Sequence, residues 1–174
     1  MDQQFITRLE QAQKLLQTVG NAAMATVNAD ATAHNSPLFI AFSPDLTTVY
    51  WSSDPASLHS MNVERSRQAY FVLYESAAGG GLYFPVHDVK VADGDQLAKG
   101  LTAYNLARVQ HGKKQPLLVP AFQEPNVLRL YQASVTSYSL NMAQRDDAGK
   151  IIRDYRQPIS SAQLSQPAED APIY

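Results

Sequence analysis

The amino-acid sequence predicts an α+β fold with an antiparallel β-barrel core. Three observations lead there: an amphipathic helix at the start, a switch from helical to strand-like apolar period after Gly20, and more strands than a flat sheet carries without exposed edges. The 174 residues favour a single domain, and a hydrophobic content of 45% with 17% charge is that of a folded chain.

Phe5, Leu9, Ala12, Leu16 and Val19 recur at spacings of three and four, so one face of a helix ending at Gly20 is apolar. Segments 21–28, 33–42 and 47–53 are strand-length and are separated by the turn-like stretches 29–32 and 43–46. Asp54-Pro55 breaks the third strand. Ser57 to Arg65 reads as a short helix and Gln68 to Glu75 as a strand apolar on both faces, central or at a subunit interface. Glycines 79, 80 and 81 predict a loop before a strand from Leu82 to Val91, in which Pro85 implies an edge or a bulge. Asp93 is placed to cap a helix through Gln110, with Leu97, Leu101 and Tyr104 on its apolar face and Gly112 beyond its end. Residues 113–126 form a loop. The apolar positions of 127–142 change parity twice, which predicts one strand with a bulge or bend. Asp146 to Gly149 is a hairpin turn into Ile151 to Arg156. The expected organisation is one domain over 1–156 and an extended or mobile tail over 157–174.

Fourteen basic and 16 acidic residues leave a formal net charge of −2, which offers no field for nucleic acid or an anionic membrane. Without cysteine there is no thiol nucleophile, thiolate metal site or disulfide, and the chain suits a cytoplasmic location. No apolar run reaches the length of a membrane helix, and the first residues show no secretory signal.

The window Tyr50-Trp51-Ser52-Ser53-Asp54-Pro55-Ala56-Ser57-Leu58-His59-Ser60-Met61-Asn62 delivers hydroxyls from a strand to a helix N-terminus. Free first-turn N–H groups, serine hydroxyls and His59 suit a phosphate, and His59 and Asn62 share a helix face. The same residues also read as an ordinary capped helix with His59 on the surface.

Ala25-Thr26-Val27-Asn28, His34-Asn35-Ser36-Pro37-Leu38, Tyr50-Trp51-Ser52-Ser53 and the S-x-H-x-x-N of Ser57 to Asn62 occur in an order that resembles the pyridoxamine 5'-phosphate oxidase-like FMN-binding split barrels. The likeness runs from about Asn21 to Val91. It implies a split barrel of about six or seven strands with an N-terminal helix and two further helices, as a homodimer holding FMN in a cleft between subunits. It places Asn35, Ser36 and Pro37 beside the flavin ring or ribityl chain, Trp51, Ser52 and Ser53 along the flavin, and Ser57 and His59 at the phosphate, with Asn62 completing the motif. No Arg or Lys lies between Lys14 and Arg65, so a phosphate there lacks a local fixed cation.

The expected function is that of an FMN-dependent oxidoreductase acting on a small molecule. The alternatives are a non-catalytic flavin binder or sensor, and a split barrel that takes a deazaflavin or haem. His34, His87 and His111 have no metal-ligand spacing, and no metal site is expected. Arg153, Tyr155 and Arg156 on the last strand are candidates to reach a neighbouring subunit's phosphate.

Overall fold

The computed structural model describes residues 3–75 and 80–166. Six strands close on themselves: β1 (Asn21–Val27), β2 (Ala33–Phe42), β3 (Thr48–Ser53), β4 (Ala69–Glu75), β5 (Gly80–Val91) and β6 (Arg129–Val135). Their order is β4-β1-β2-β3-β6-β5, and pairing of β4 with β5 completes the ring, so the barrel has no free edge. Every ladder in it is antiparallel. Strands β7 (Tyr138–Arg145) and β8 (Ile151–Ile159) form a hairpin that leaves the ring from β5.

The interior follows from the period of two. Met24, Val49, Trp51, Phe71, Leu73, Leu82 and Phe84 are fully buried inside the ring. Trp51 stacks on Tyr131 at 5.6 Å and Phe71 on Phe84 at 5.4 Å between ring centroids. Helix α1 (Gln3–Thr18) lays Leu9, Ala12 and Leu15 on this core, in contact with β4, β5 and β7. Helix α2 (Leu58–Ser66) packs by Val63.

Four expectations need correction. The bent strand at 127–142 is two strands, β6 and β7, broken at Thr136–Ser137. Both follow the same edge of β5, and the break is where the ring ends and the hairpin departs. Of the edge or bulge expected at Pro85, the edge is corrected, since Pro85 lies within the β4–β5 ladder opposite Tyr70, while β5 does carry a register shift just beyond it, between His87 and Lys90. The carbonyl of Pro85 accepts from Thr136 N–H on the other side, so its missing donor faces the break and no ladder bond is lost. Gly80 and Gly81 belong to β5, opposite Glu75 and Tyr74; Gly79 lies outside the described residues. Residues 157–166, expected to be extended or mobile, are strand and helix: β8 runs to Ile159, and Ser160 caps α4 (Ser161–Ser165) with a reciprocal Gln163 bond, while 167–174 lie outside the described residues. Ile159 and Leu164 are buried there, and Gln13 of α1 donates to the Gln163 and Gln166 carbonyls.

Helix α3 (Gly94–Gln110) covers a second core on the outer side of β2, β3 and β6, made by Ala41, Tyr50, Leu97, Leu101, Tyr104, Phe122 and Leu130. Asp93 occupies its N-cap position, yet its side chain makes no cap bond. At the other end Gly112 is left-handed, with φ of 77°. The Lys113 N–H donates to the Arg108 carbonyl and the Gly112 N–H to that of Val109, a Schellman turn. Nothing lies within 4 Å of where a Gly112 Cβ would stand, so conformation and not space requires glycine. Gly112→Ala is expected to lower stability by about 1 kcal/mol in urea unfolding, the cost of a left-handed alanine. Trp51→Ala, which empties a fully buried site, is expected to cost about 3–5 kcal/mol in the same measurement.

Candidate functional site

Strand β3 ends at Ser53, Asp54-Pro55 turns the chain, and α2 starts across the mouth of the barrel. The turn is built by Asp54: its carboxylate accepts from the Ala56 N–H at 2.8 Å, and its carbonyl accepts from the Ser57 N–H and hydroxyl. Ser57 is therefore the N-cap residue of α2 without acting as its cap, since its hydroxyl is turned toward Asp54 and Ser60. The first-turn N–H groups of α2 have no intrahelical acceptor and no serine oxygen takes that place. Unpaired donors at the positive end of a helix dipole are an anion site in electrostatic terms.

Beneath that turn three hydroxyls and one imidazole form a cluster. His59 Nε2 lies 2.6 Å from Ser53 Oγ and 3.1 Å from Ser57 Oγ. Ser60 Oγ donates to Ser53 Oγ at 3.1 Å, and Ser57 Oγ is 2.9 Å from Ser60 Oγ. Ser53 and Ser60 are buried, and the Tyr131 phenol, raised above its ordinary value by burial, lies beside Ser60. Burial of the His59 ring and, second, the charge of nearby His34 push the His59 imidazole below its ordinary value. At neutral pH it is uncharged and adds no fixed cation.

Strand alternation divides the residues that the resemblance grouped. On β2, Asn35 and Pro37 stand opposite Ala25 and Ala23 and are exposed on the outer face. Ser36 stands opposite buried Met24 and faces inward, where its hydroxyl meets His34 Nε2 at 3.0 Å. On β3, Trp51 and Ser53 point in and Ser52 points out, where it lies against the Tyr104 phenol. Trp51 has no exposed surface; it fills the barrel instead of lining a cleft, and its Nε1 has no partner among the described residues. Asn62 is not at the helix start. It is buried and donates to Thr26 Oγ1 and Asn28 Oδ1, tying α2 to the end of β1.

Tertiary pairing brings Arg129 beside Ser53, opposite it on β6. Its guanidinium is engaged by Glu124 and by the Asn126 and Leu128 carbonyls. Ser60 and His34 are the neighbours that sequence reasoning passed over. Ser60 was signalled by its position three residues after Ser57 on one helix face. His34 had no local signal, since only the pairing of β1 with β2 puts it opposite Thr26 and near α2. Among the described residues no group of His, Asp and Glu is arranged to hold a metal, and no helix is long and apolar enough to cross a membrane.

Depressing an imidazole pKa on folding means that the unfolded chain binds the proton more readily. Stability due to His59 is thus complete above the unfolded value of about 6.5 and is lost as pH falls through the lower folded value. His59→Gln is expected to flatten the decline of urea-unfolding stability below pH 6.5, and NMR titration of the ring should give a midpoint under 6.5.

No protein-family model and no curated protein matches the chain. Solved structures do. A pyridoxamine 5'-phosphate oxidase-related FMN-binding protein from Nostoc punctiforme aligns with a TM-score of 0.54 at 15% identity, over 91% of this chain and 96% of that one. An F420 reductase aligns at 0.54 and 14% identity, over 74% of this chain and 95% of that one. A haem-binding protein from Mycobacterium smegmatis aligns at 0.60 and 11% identity, over 92% of this chain, which spans 60% of that protein. At such identities the likeness is one of fold alone: with its six-stranded ring and departing hairpin this chain is an α+β split barrel, the fold it shares with these proteins.

Proposed function

We propose that this chain binds a flavin-type cofactor, FMN in the first instance, and works as an oxidoreductase on a small molecule. The observation that carries the reading is the start of α2, where first-turn N–H groups are left without a cap beside the hydroxyls of Ser57 and Ser53. These groups fit a phosphate by hydrogen bonding, with no free side-chain cation to strengthen it. Asn35, Pro37 and Ser52, outward on adjacent strands, are the residues for the ring or ribityl chain. A bound flavin would supply the electron or hydride chemistry itself. The protein's part is to hold the phosphate, orient the ring and limit water.

The reading includes a homodimer with the cofactor cleft between subunits. Its support is the outer face of β1, β2 and β4, where Ala23, Ala25 and Pro37 adjoin Tyr70, 38% exposed, and Val72. A face of small and apolar side chains next to the proposed ring position suits a second copy.

A haem reading of the same barrel is favoured by one observation. His59 is held in the neutral form that binds iron, and the site lacks the cations a phosphate dianion favours. The fold neighbours include proteins described as FMN-binding and haem-binding, which supports both readings.

The visible spectrum of the purified protein separates them: flavin bands support the first, a Soret band the second. In titrations followed by flavin fluorescence, FMN should bind at least tenfold tighter than riboflavin, because only FMN carries the phosphate. Equal binding of the two would remove the helix N-terminus from the site, and no quenching by either would overturn the flavin reading. Photoreduced protein that reoxidises with added acceptors no faster than free flavin would make it a binder and not an enzyme.

A further inference from the structure

A cavity lies on the other side of the sheet from the α2 cluster, between the C-terminal end of α3 and the junction of α1 with β1. Its volume is about 390 Å³, within the range of small-ligand sites. Arg108, His111 and Lys113 line it together with the rings of Phe39 and Tyr104, and none of its lining residues is acidic. Phe39 meets Tyr104 and His111 edge to face, at 5.5 and 5.6 Å between centroids. Gly20 permits that wall. A Cβ there would stand 2.5 Å from Phe39 Cε2 and 3.0 Å from His111 Cδ2.

The basic groups are gathered by the helix end itself. The Schellman turn at Gly112 bonds the Lys113 N–H to the Arg108 carbonyl, so the chain returns beside the residue it has just passed. Cations at a helix C-terminus often serve its carbonyls. Here those of Ala107, Arg108 and Val109 already accept from backbone N–H groups of His111, Lys113 and Gly112. Neither Arg108, His111 nor Lys113 forms an ion pair among the described residues. Arg108 Nε is buried without a hydrogen-bond partner, and the guanidinium reaches only the Gln115 carbonyl, at 3.4 Å. A buried guanidinium N–H with no acceptor costs free energy that an incoming oxyanion would recover.

We infer that this cavity is a binding site for a small organic anion with a planar apolar body, its carboxylate on Arg108 and Lys113 and its body against Phe39 and Tyr104. The cavity adjoins the outer face that carries Ser52, which lies against Tyr104, but the test needs no cofactor, so its outcome and that of the flavin proposal are read separately. Isothermal titration calorimetry of the protein without added cofactor, at low ionic strength, uses three probes: benzoate, uncharged benzamide and inorganic phosphate. Benzoate is expected to bind saturably, at least tenfold tighter than benzamide and tighter than phosphate. Arg108→Gln should weaken benzoate tenfold or more and Lys113→Gln about threefold, with Lys114→Gln, on the neighbouring exposed loop position, unchanged. Because Lys113 is exposed, its variant serves even if Arg108→Gln unfolds. Absence of saturable benzoate binding, benzamide binding as tightly as benzoate, or benzoate affinity unaltered in Lys113→Gln would each overturn the proposal. Phosphate binding as tightly as benzoate would overturn it by showing that the rings take no part.

Discussion

β5 is bonded along both edges, and the rest of the structure depends on how it shares them. One edge closes the ring with β4, and the other serves β6 in its second half and β7 in its first. Backbone groups in a barrel wall have no water to turn to, so each change of partner needs a local device that leaves no buried donor unpaired. Two such devices are present. Pro85 stands where the ladder passes from β6 to β7, and a register shift between His87 and Lys90, with Asp88 at φ of 52°, lets the strand bend along β6. Closure by β4 then fixes which residues face inward over the whole ring.

That inward face is apolar until the barrel mouth, where it meets α2 and becomes polar. Ser53, Ser60 and Asn62 are buried there, and burying such groups is tolerable only because each is hydrogen-bonded. The same enclosure disfavours charge, which is why His59 is held neutral. The mouth is thus a neutral, hydroxyl-rich floor under a helix end with unused donors. The anion attraction it offers is dipolar, while Arg108 and Lys113 stand together on the opposite side of the sheet, beneath the end of α3.

Much of the fold was legible because local patterns agreed with tertiary roles. The α1 stripe, the alternation of β1 to β3, the Asp54-Pro55 break and the Gly112 stop each follow from stereochemistry confined to a few residues. The misses share a cause. The end of β8 beyond Arg156 and α4 carry few apolar residues, and their order comes from Ile159 and Leu164 joining the core with α1, although Ser160-x-x-Gln163 is a readable capping box. Glycines 80 and 81 look like a loop because nothing local shows that β4 waits opposite them.

Of the candidate site, the sequence determined the phosphate-sized hydroxyl window at the start of α2 and its lack of a local cation, since both are matters of residue type and short spacing. Tertiary structure decided which of those residues face which way. Closing the ring put Trp51 and Ser53 inside and Asn35, Pro37 and Ser52 outside, turned Asn62 to β1, and brought His34 near enough to His59 to oppose its proton. The physical reason is that a strand's period says only that neighbours point to opposite faces; which face is core is set by partners distant in sequence.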